Sequence, residues 1–226
     1  MFKQAITRTP SRSLVNGLTS ANLGTPNYDR ALEQHRQYVR ALASCDVDVI
    51  TLPASESFPD SVFIEDAALC TPHCAVITRP GADSRRGEAE LLVPALRHVY
   101  LHVEQIVAPG TLDAGDVMMV GDHYFIGHSS RTNLDGAHQL IAILQRYGMT
   151  GSISPLQVKY DLAKCLHEGE CRKVCLVPHV LELTKMGYAS DTFEYIGADC
   201  TRCGMCVDVC PQKALSFSVR GLDKVL

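Results

Sequence analysis

Residues 200–211 read CTRCGMCVDVCP, a C-x2-C-x2-C-x3-C-P run. At that spacing three thiolates surround one iron–sulfur cubane while backbone N–H groups turn toward its sulfurs. The fourth, Cys210, is directed away to a second cluster, and Pro211 ends the turn. A structural zinc site is the plainer alternative. Zinc sites, however, pair two separated C-x2-C knuckles rather than a triple run closed by Cys-Pro. A second run, KCLHEGECRKVC at 164–175, keeps the register with Cys165, Cys171 and Cys175 but carries Glu168 in its second slot. A carboxylate is a harder, weaker iron ligand than a thiolate. The intervening LVPHVLELTKMGYASDTFEYIGAD has room for a short helix and a hairpin return.

The elements ahead of these runs follow a different pattern. DRALEQHRQYVRALASC (29–45) places Leu32, His35, Tyr38, Val39 and Leu42 on one helical face. Short β-prone runs follow at VDVITL (47–52), SVFIED (61–66) and CAVITRP (74–80). A second helix is expected over 84–98, with Pro94 breaking it or restarting its last turn. HVEQIV (102–107), DVMMV (116–120) and HYFIG (123–127) read as strands. A third helix, 133–148, sets Leu134, Ala137, Leu140, Ile141 and Leu144 on one face behind an Asn133 N-cap. Helices thus recur at intervals of about 50 residues with two or three strands between, which is the signature of an internal α/β repeat.

Composition fits a globular chain: 20% charged, 46% hydrophobic and a net charge of −4. Acidic side chains outnumber basic ones only before residue 157, and no basic stripe marks a nucleic-acid partner. The opening MFKQAITRTPSRSLVNGL lacks a signal-peptide apolar run, and no stretch approaches the ~20 apolar residues of a membrane span. The expectation is a cytoplasmic chain whose ten cysteines are not a disulfide framework.

RTPSRSLVNGLT (8–19), FPDSVFIED (58–66), ITRPGADSRRGE (77–88) and APGTLDAGDVMMVGDHYFIGHSSRTN (108–133) resemble dimethylarginine dimethylaminohydrolase, of the amidinotransferase and arginine-deiminase superfamily. The resemblance runs over residues 1–156. It implies an α+β chain beginning with an incomplete propeller, about three of five ββαβ modules. Such a fold leaves strand edges that the C-terminal part or an oligomer must cover if the front half is to fold well. The family's chemistry holds a guanidinium with carboxylates, attacks it with a cysteine thiolate and moves protons with a histidine. Asp66 and Asp113 match the guanidinium-holding carboxylates. Asp60 and the Leu18 backbone match contacts to the substrate's amino end, and Arg85 and Arg131 match the pair gripping its carboxylate. Without the resemblance, Asp and Arg beside strand ends read as capping or solvated groups. The family's histidine falls just beyond the third module and its cysteine after a glycine-rich turn. Here QVKYDLAKCL follows Leu156, and no glycine-rich run precedes a cysteine. Cys165 with His167 has nothing to align it on the site, Cys70 and Cys74 read as inert thiols, and His128 has no catalytic counterpart.

CRKVCLVPHVLEL with DCTRCGMCVDVCPQKALSFS is similar to the C-terminal two-cluster ferredoxin segment of NapH/NosR-type membrane electron-transfer proteins, over residues 160–226. The resemblance implies a small ferredoxin-like domain (157–226) behind the propeller domain (1–156). Cluster B takes Cys175, Cys200, Cys203 and Cys206. Cluster A takes Cys165, Cys171 and Cys210, with Glu168 opposite its fourth iron. That iron is then held by Glu168 or water, or is lost to leave a 3Fe–4S cluster, or the site does not assemble; a plain solvated glutamate is the remaining reading. The expected function is 4Fe–4S electron transfer to or from a partner protein, joined to a domain with a site for methylated arginine that lacks the catalytic His and Cys. An active hydrolase with an accessory ferredoxin is the alternative.

Overall fold

Gln4–Arg8 (β1) runs parallel to Asp48–Leu52 (β2), with Tyr28–Ser44 (α1) as the crossover between them. The computed structural model describes residues 3–19, 24–154, 156–166, 168–175, 194–195 and 205–219. The chain divides into two compact units, 1–152 and 153–226. The α1 helix starts where the Asn27 side chain accepts the Arg30 N–H at 2.8 Å, satisfying one of the four donors a helix start leaves open.

Ala68–Cys70 (β3) pairs antiparallel with Ala75–Ile77 (β4). Val93–Val99 (α2) then returns the chain to Val103–Gln105 (β5), parallel to β4. Val117–Val120 (β6) and His123–Gly127 (β7) form a hairpin, followed by Leu134–Arg146 (α3) and Thr150–Ser154 (β8) on the far side of β7. The order ββαβ therefore occurs twice, after a βαβ unit. Among the described residues these sheets are separate and trace no closed propeller ring.

Three sequence expectations change here. SVFIED is not a strand: Ser61, Phe63 and Asp66 donate their N–H groups to Phe58, Asp60 and Phe63, so the segment coils into tight turns ahead of β3. The helix expected over 84–98 breaks into 3-10 turns at Asp83–Arg85 and Ala89–Leu92 before α2, which begins with Pro94 in its first turn, where a missing N–H costs nothing. On α3 the buried stripe is Gly136, Ala137, Leu140, Ile143 and Leu144, while Leu134 is 47% exposed. Leu134 lies six residues before Leu140, a third of a turn off the stripe. Gly136 is required: a Cβ there would stand 2.0 Å from the Thr111 carbonyl oxygen.

In the second unit Leu156–Tyr160 (β9) is the central strand, antiparallel to Glu194–Tyr195 (β10) and Leu215–Val219 (β11). Glu170–Val174 (α4) and Met205–Val209 (α5) carry cysteines. Gly169, at φ 79°, makes the left-handed turn that leads into α4. Val158, Tyr160, Cys206, Ala214 and Leu215 form the buried core of this unit. Helices and mixed strands make the chain α+β, and among the described residues no helix is long and apolar enough to cross a membrane.

Candidate functional site

In the first unit the turned segment 58–66 presents Asp60 and Asp66 to one polar cluster. The Leu18 N–H donates to both carboxylate oxygens of Asp60, at 3.0 and 3.2 Å. Asp66 accepts from Arg85 Nη1 at 2.6 Å, and its approach needs Gly115, where a Cβ would stand 2.5 Å from Asp66 Oδ1. Arg85 Nη2 donates to Glu88, to the Phe63 carbonyl at 3.1 Å and to the Asp60 carbonyl at 3.4 Å. Glu88 is 2% exposed and was not expected from the sequence; its signal was the i,i+3 spacing from Arg85. Of the two arginines matched to a carboxylate grip, Arg85 is committed to protein acceptors. Arg131 keeps a side chain that is 47% exposed, with Nε 3.4 Å from Asp113 and Nη2 3.7 Å from Asp116. Asp116, also missed, accepts from Ser129 and Thr132, each at 2.6 Å, and so pins the loop that carries Arg131.

Several polar atoms in this cluster are buried without a hydrogen-bond partner: Arg8 Nη2, Arg85 Nε, Glu88 Oε2 and Asp113 Oδ2. Unmet buried groups of both signs are what a polar, charged ligand or water would satisfy. Burial pushes the Asp113 carboxyl up. The Gly81 N–H works against this, the Asp66 charge adds to it, and Arg85 and Arg131 pull it back. Burial likewise raises Glu88 against the pull of Arg85. Burial would lower Arg85, but its bonds to Glu88 and Asp66 outweigh that and its pKa rises.

A pH dependence follows from Asp113. Its folded pKa lies above the unperturbed 3.8, so the folded chain holds that proton more tightly than the unfolded chain. Stability from this group is therefore present below 3.8 and lost as pH rises through the folded value. Urea denaturation of wild type and Asp113→Asn across pH 3 to 7 should show wild type gaining on the variant as pH falls, then levelling off below 3.8. A difference that is flat or opposite in sign excludes the raised pKa.

In the second unit Cys165, Cys171, Cys175 and Cys210 pack half-buried against the core that holds Cys206. Burial pushes the Cys171 thiol up; the Arg172 N–H opposes this, and Cys165 and Cys210 add to it. The Ala214 N–H donates to Cys210 Sγ at 3.3 Å, the kind of bond a cluster thiolate accepts. Glu168 is exposed and accepts from Gln212 Nε2 at 3.3 Å, beside the Cys210 turn. Cys200, Cys203 and His167 lie outside the described residues. Among the described residues no three His, Cys, Asp or Glu side chains converge closely enough for one metal ion. A cubane asks for wider spacing, because each thiolate binds a different iron. No described cysteine is in a disulfide. Thiols converging on one small core, with a backbone N–H on a sulfur, fit an iron–sulfur cluster.

A family model described as N,N dimethylarginine dimethylhydrolase, eukaryotic, matches residues 21–150, and one described as 4Fe-4S binding domain matches residues 194–216. The chain therefore belongs to the dimethylarginine dimethylaminohydrolase family and carries a 4Fe–4S binding domain behind that part. N(G),N(G)-dimethylarginine dimethylaminohydrolase of Pseudomonas aeruginosa is 60% identical over 158 residues, 70% of this chain and 62% of that protein. A solved structure of the dimethylarginine dimethylaminohydrolase from Pseudomonas aeruginosa, complexed with citrulline, matches 68% of this chain and 60% of that chain with a TM-score of 0.67. Ferredoxin-type protein NapH of Haemophilus influenzae is 31% identical over 104 residues, 46% of this chain and 32% of that protein. The chain spans about three fifths of the curated dimethylarginine dimethylaminohydrolase from Pseudomonas aeruginosa.

Proposed function

We propose that the chain is an iron–sulfur electron-transfer module joined to a dimethylargininase-like unit that holds methylated arginines without hydrolysing them. The observation that carries this is the convergence of Cys165, Cys171, Cys175, Cys206 and Cys210 on the core of one small unit. A bound cluster supplies reversible one-electron chemistry. Cys175, Cys200, Cys203 and Cys206 hold cluster B; Cys165, Cys171 and Cys210 hold cluster A, with Glu168 or water at its fourth iron. A redox partner protein exchanges the electron.

The front half, functionally residues 1–156, reads as three of five propeller modules, on the strength of its repeated ββαβ order. Exposed Met118, Met119 and Val120 on β6 support an oligomer that covers open edges. Asp66 and Asp113 are read as facing a guanidinium, Asp60 and the Leu18 backbone as facing an amino group, and Arg131 as facing a carboxylate, while Arg85, matched to the same grip, is held by Asp66 and Glu88. This half is read as lacking the nucleophile, since Cys74 is fully buried and bonded to Thr71 and burial pushes both the Cys70 and Cys74 thiols up.

Anaerobic reconstitution of the full chain should give broad absorbance near ~400 nm and a reduced-state EPR signal, with no citrulline from dimethylarginine. Colourless, iron-free protein sinks the reading. A second reading, hydrolysis of dimethylarginine to citrulline and dimethylamine, is favoured by the 60% identity to a relative named for that reaction. It requires citrulline release that thiol alkylation abolishes.

A further inference from the structure

Tyr160 ends β9 and is 2% exposed, packed with Val158, Ala214 and Leu215 and against the cysteines of the second unit. Its hydroxyl oxygen is buried, and the Cys165 side chain lies within hydrogen-bonding reach of it. Phenylalanine would fill the same apolar space without that polar atom, so the hydroxyl calls for an acceptor, and the sulfurs packed against this core are the acceptors at hand. The groups around it are specific. The half-buried sulfurs packed against this core include those of Cys165, Cys171 and Cys210. These three are the thiols assigned above to cluster A. Cys210 already receives the Ala214 N–H at 3.3 Å, so Tyr160 adds a second kind of donor to the same group of sulfurs.

We infer that the Tyr160 hydroxyl donates a hydrogen bond to a sulfur of cluster A, thiolate or inorganic sulfide, and thereby raises the reduction potential of that cluster. Reduction adds negative charge that spreads onto the sulfurs. A donor fixed in a dry pocket stabilises the reduced form more than the oxidised one, and hydrogen bonds to sulfur are among the levers that set cluster potentials. Tyr160 acts here as a positioning residue: it ligates no iron, and cluster B does not depend on it. The inference rests on the assignment of cluster A made above.

The test compares reconstituted full-length wild type with Tyr160→Phe by iron and sulfide content and by EPR-monitored redox titration. Equal iron and sulfide are expected in the two proteins. At the wild-type midpoint of cluster A, the ratio of reduced to oxidised cluster should fall by about threefold or more in the variant, with cluster B unchanged. Exchange into deuterated water should remove a proton coupling from the cluster A signal of wild type and find none to remove in the variant. Identical potentials and couplings with both clusters present overturn the role of Tyr160. A wild-type chain whose iron accounts for cluster B alone overturns the cluster A assignment instead, and the iron count separates the two failures. Should Tyr160→Phe fail to assemble cluster A, a fluorotyrosine placed at position 160 keeps the ring and strengthens the donor. It should move the ratio in the opposite direction, and an unmoved ratio overturns the inference.

Discussion

Arg85→Met should destabilise the first unit by about 3–5 kcal/mol, the range found when one partner of a buried ion pair is removed. Arg85 is 7% exposed and Glu88 2% exposed, and the guanidinium also serves Asp66 at 2.6 Å and the Phe63 carbonyl at 3.1 Å. Removing it leaves Glu88 buried without its cation, next to the charges of Asp60 and Asp66 that already push it up. Protonation of Glu88 caps the loss, which is why the effect does not approach the full cost of desolvating a charge. Pairing Arg85→Met with Glu88→Gln should recover part of the stability, a coupling that a double-mutant cycle measures directly. Arg85→Lys should rescue poorly, because one ammonium cannot span Asp66 on one side and Glu88 with the Phe63 carbonyl on the other. The chain has no tryptophan, so urea denaturation is best followed by far-UV circular dichroism. A loss within about 0.5 kcal/mol, the usual range for surface changes, would show that the cluster is not bonded as described.

On the proposed ligand sets, Cys206→Ser should halve, roughly, the iron bound per reconstituted chain, since Cys206 belongs there to cluster B while cluster A draws on Cys165, Cys171 and Cys210. Serine offers a harder oxygen in place of a thiolate. Cys206 is also 7% exposed in the core with Val158 and Leu215, so a hydroxyl there weakens packing as well as ligation. Cys171→Ser should remove the other half, and the double variant should bind almost none. Cys45→Ser, in the first unit and exposed, should leave iron unchanged. If Cys206→Ser and Cys45→Ser bind the same iron as wild type, the ligand assignment fails.

The two halves of the chain differ in what could be read in advance. Ligand chemistry in the second unit is written in short covalent spacings, and C-x2-C-x2-C-x3-C-P constrains its thiolates whatever surrounds it. A helix signal of the same local kind held: Asn133 caps α3, because a cap depends on residues three apart. SVFIED failed for the opposite reason. Its β-prone residues were outweighed by turns whose carbonyls, at Asp60 and Phe63, also accept from Arg85, 22 or more residues away. Glu88 went unnoticed because its importance depends on burial, which no local pattern reports.

The sequence by itself determined the repeating α/β pattern, the cysteine registers and the family resemblance, since each rests on residue type at fixed separation along the chain. Only the tertiary structure decided that Arg85 is bound to Asp66 and Glu88 while Arg131 keeps an exposed guanidinium. It also decided that the Tyr160 hydroxyl is enclosed beside Cys165, Cys171 and Cys210. Burial and the pairing of distant strands, here β9 with β11, set the partners and the desolvation of a polar group, and those quantities do not exist until the chain has folded.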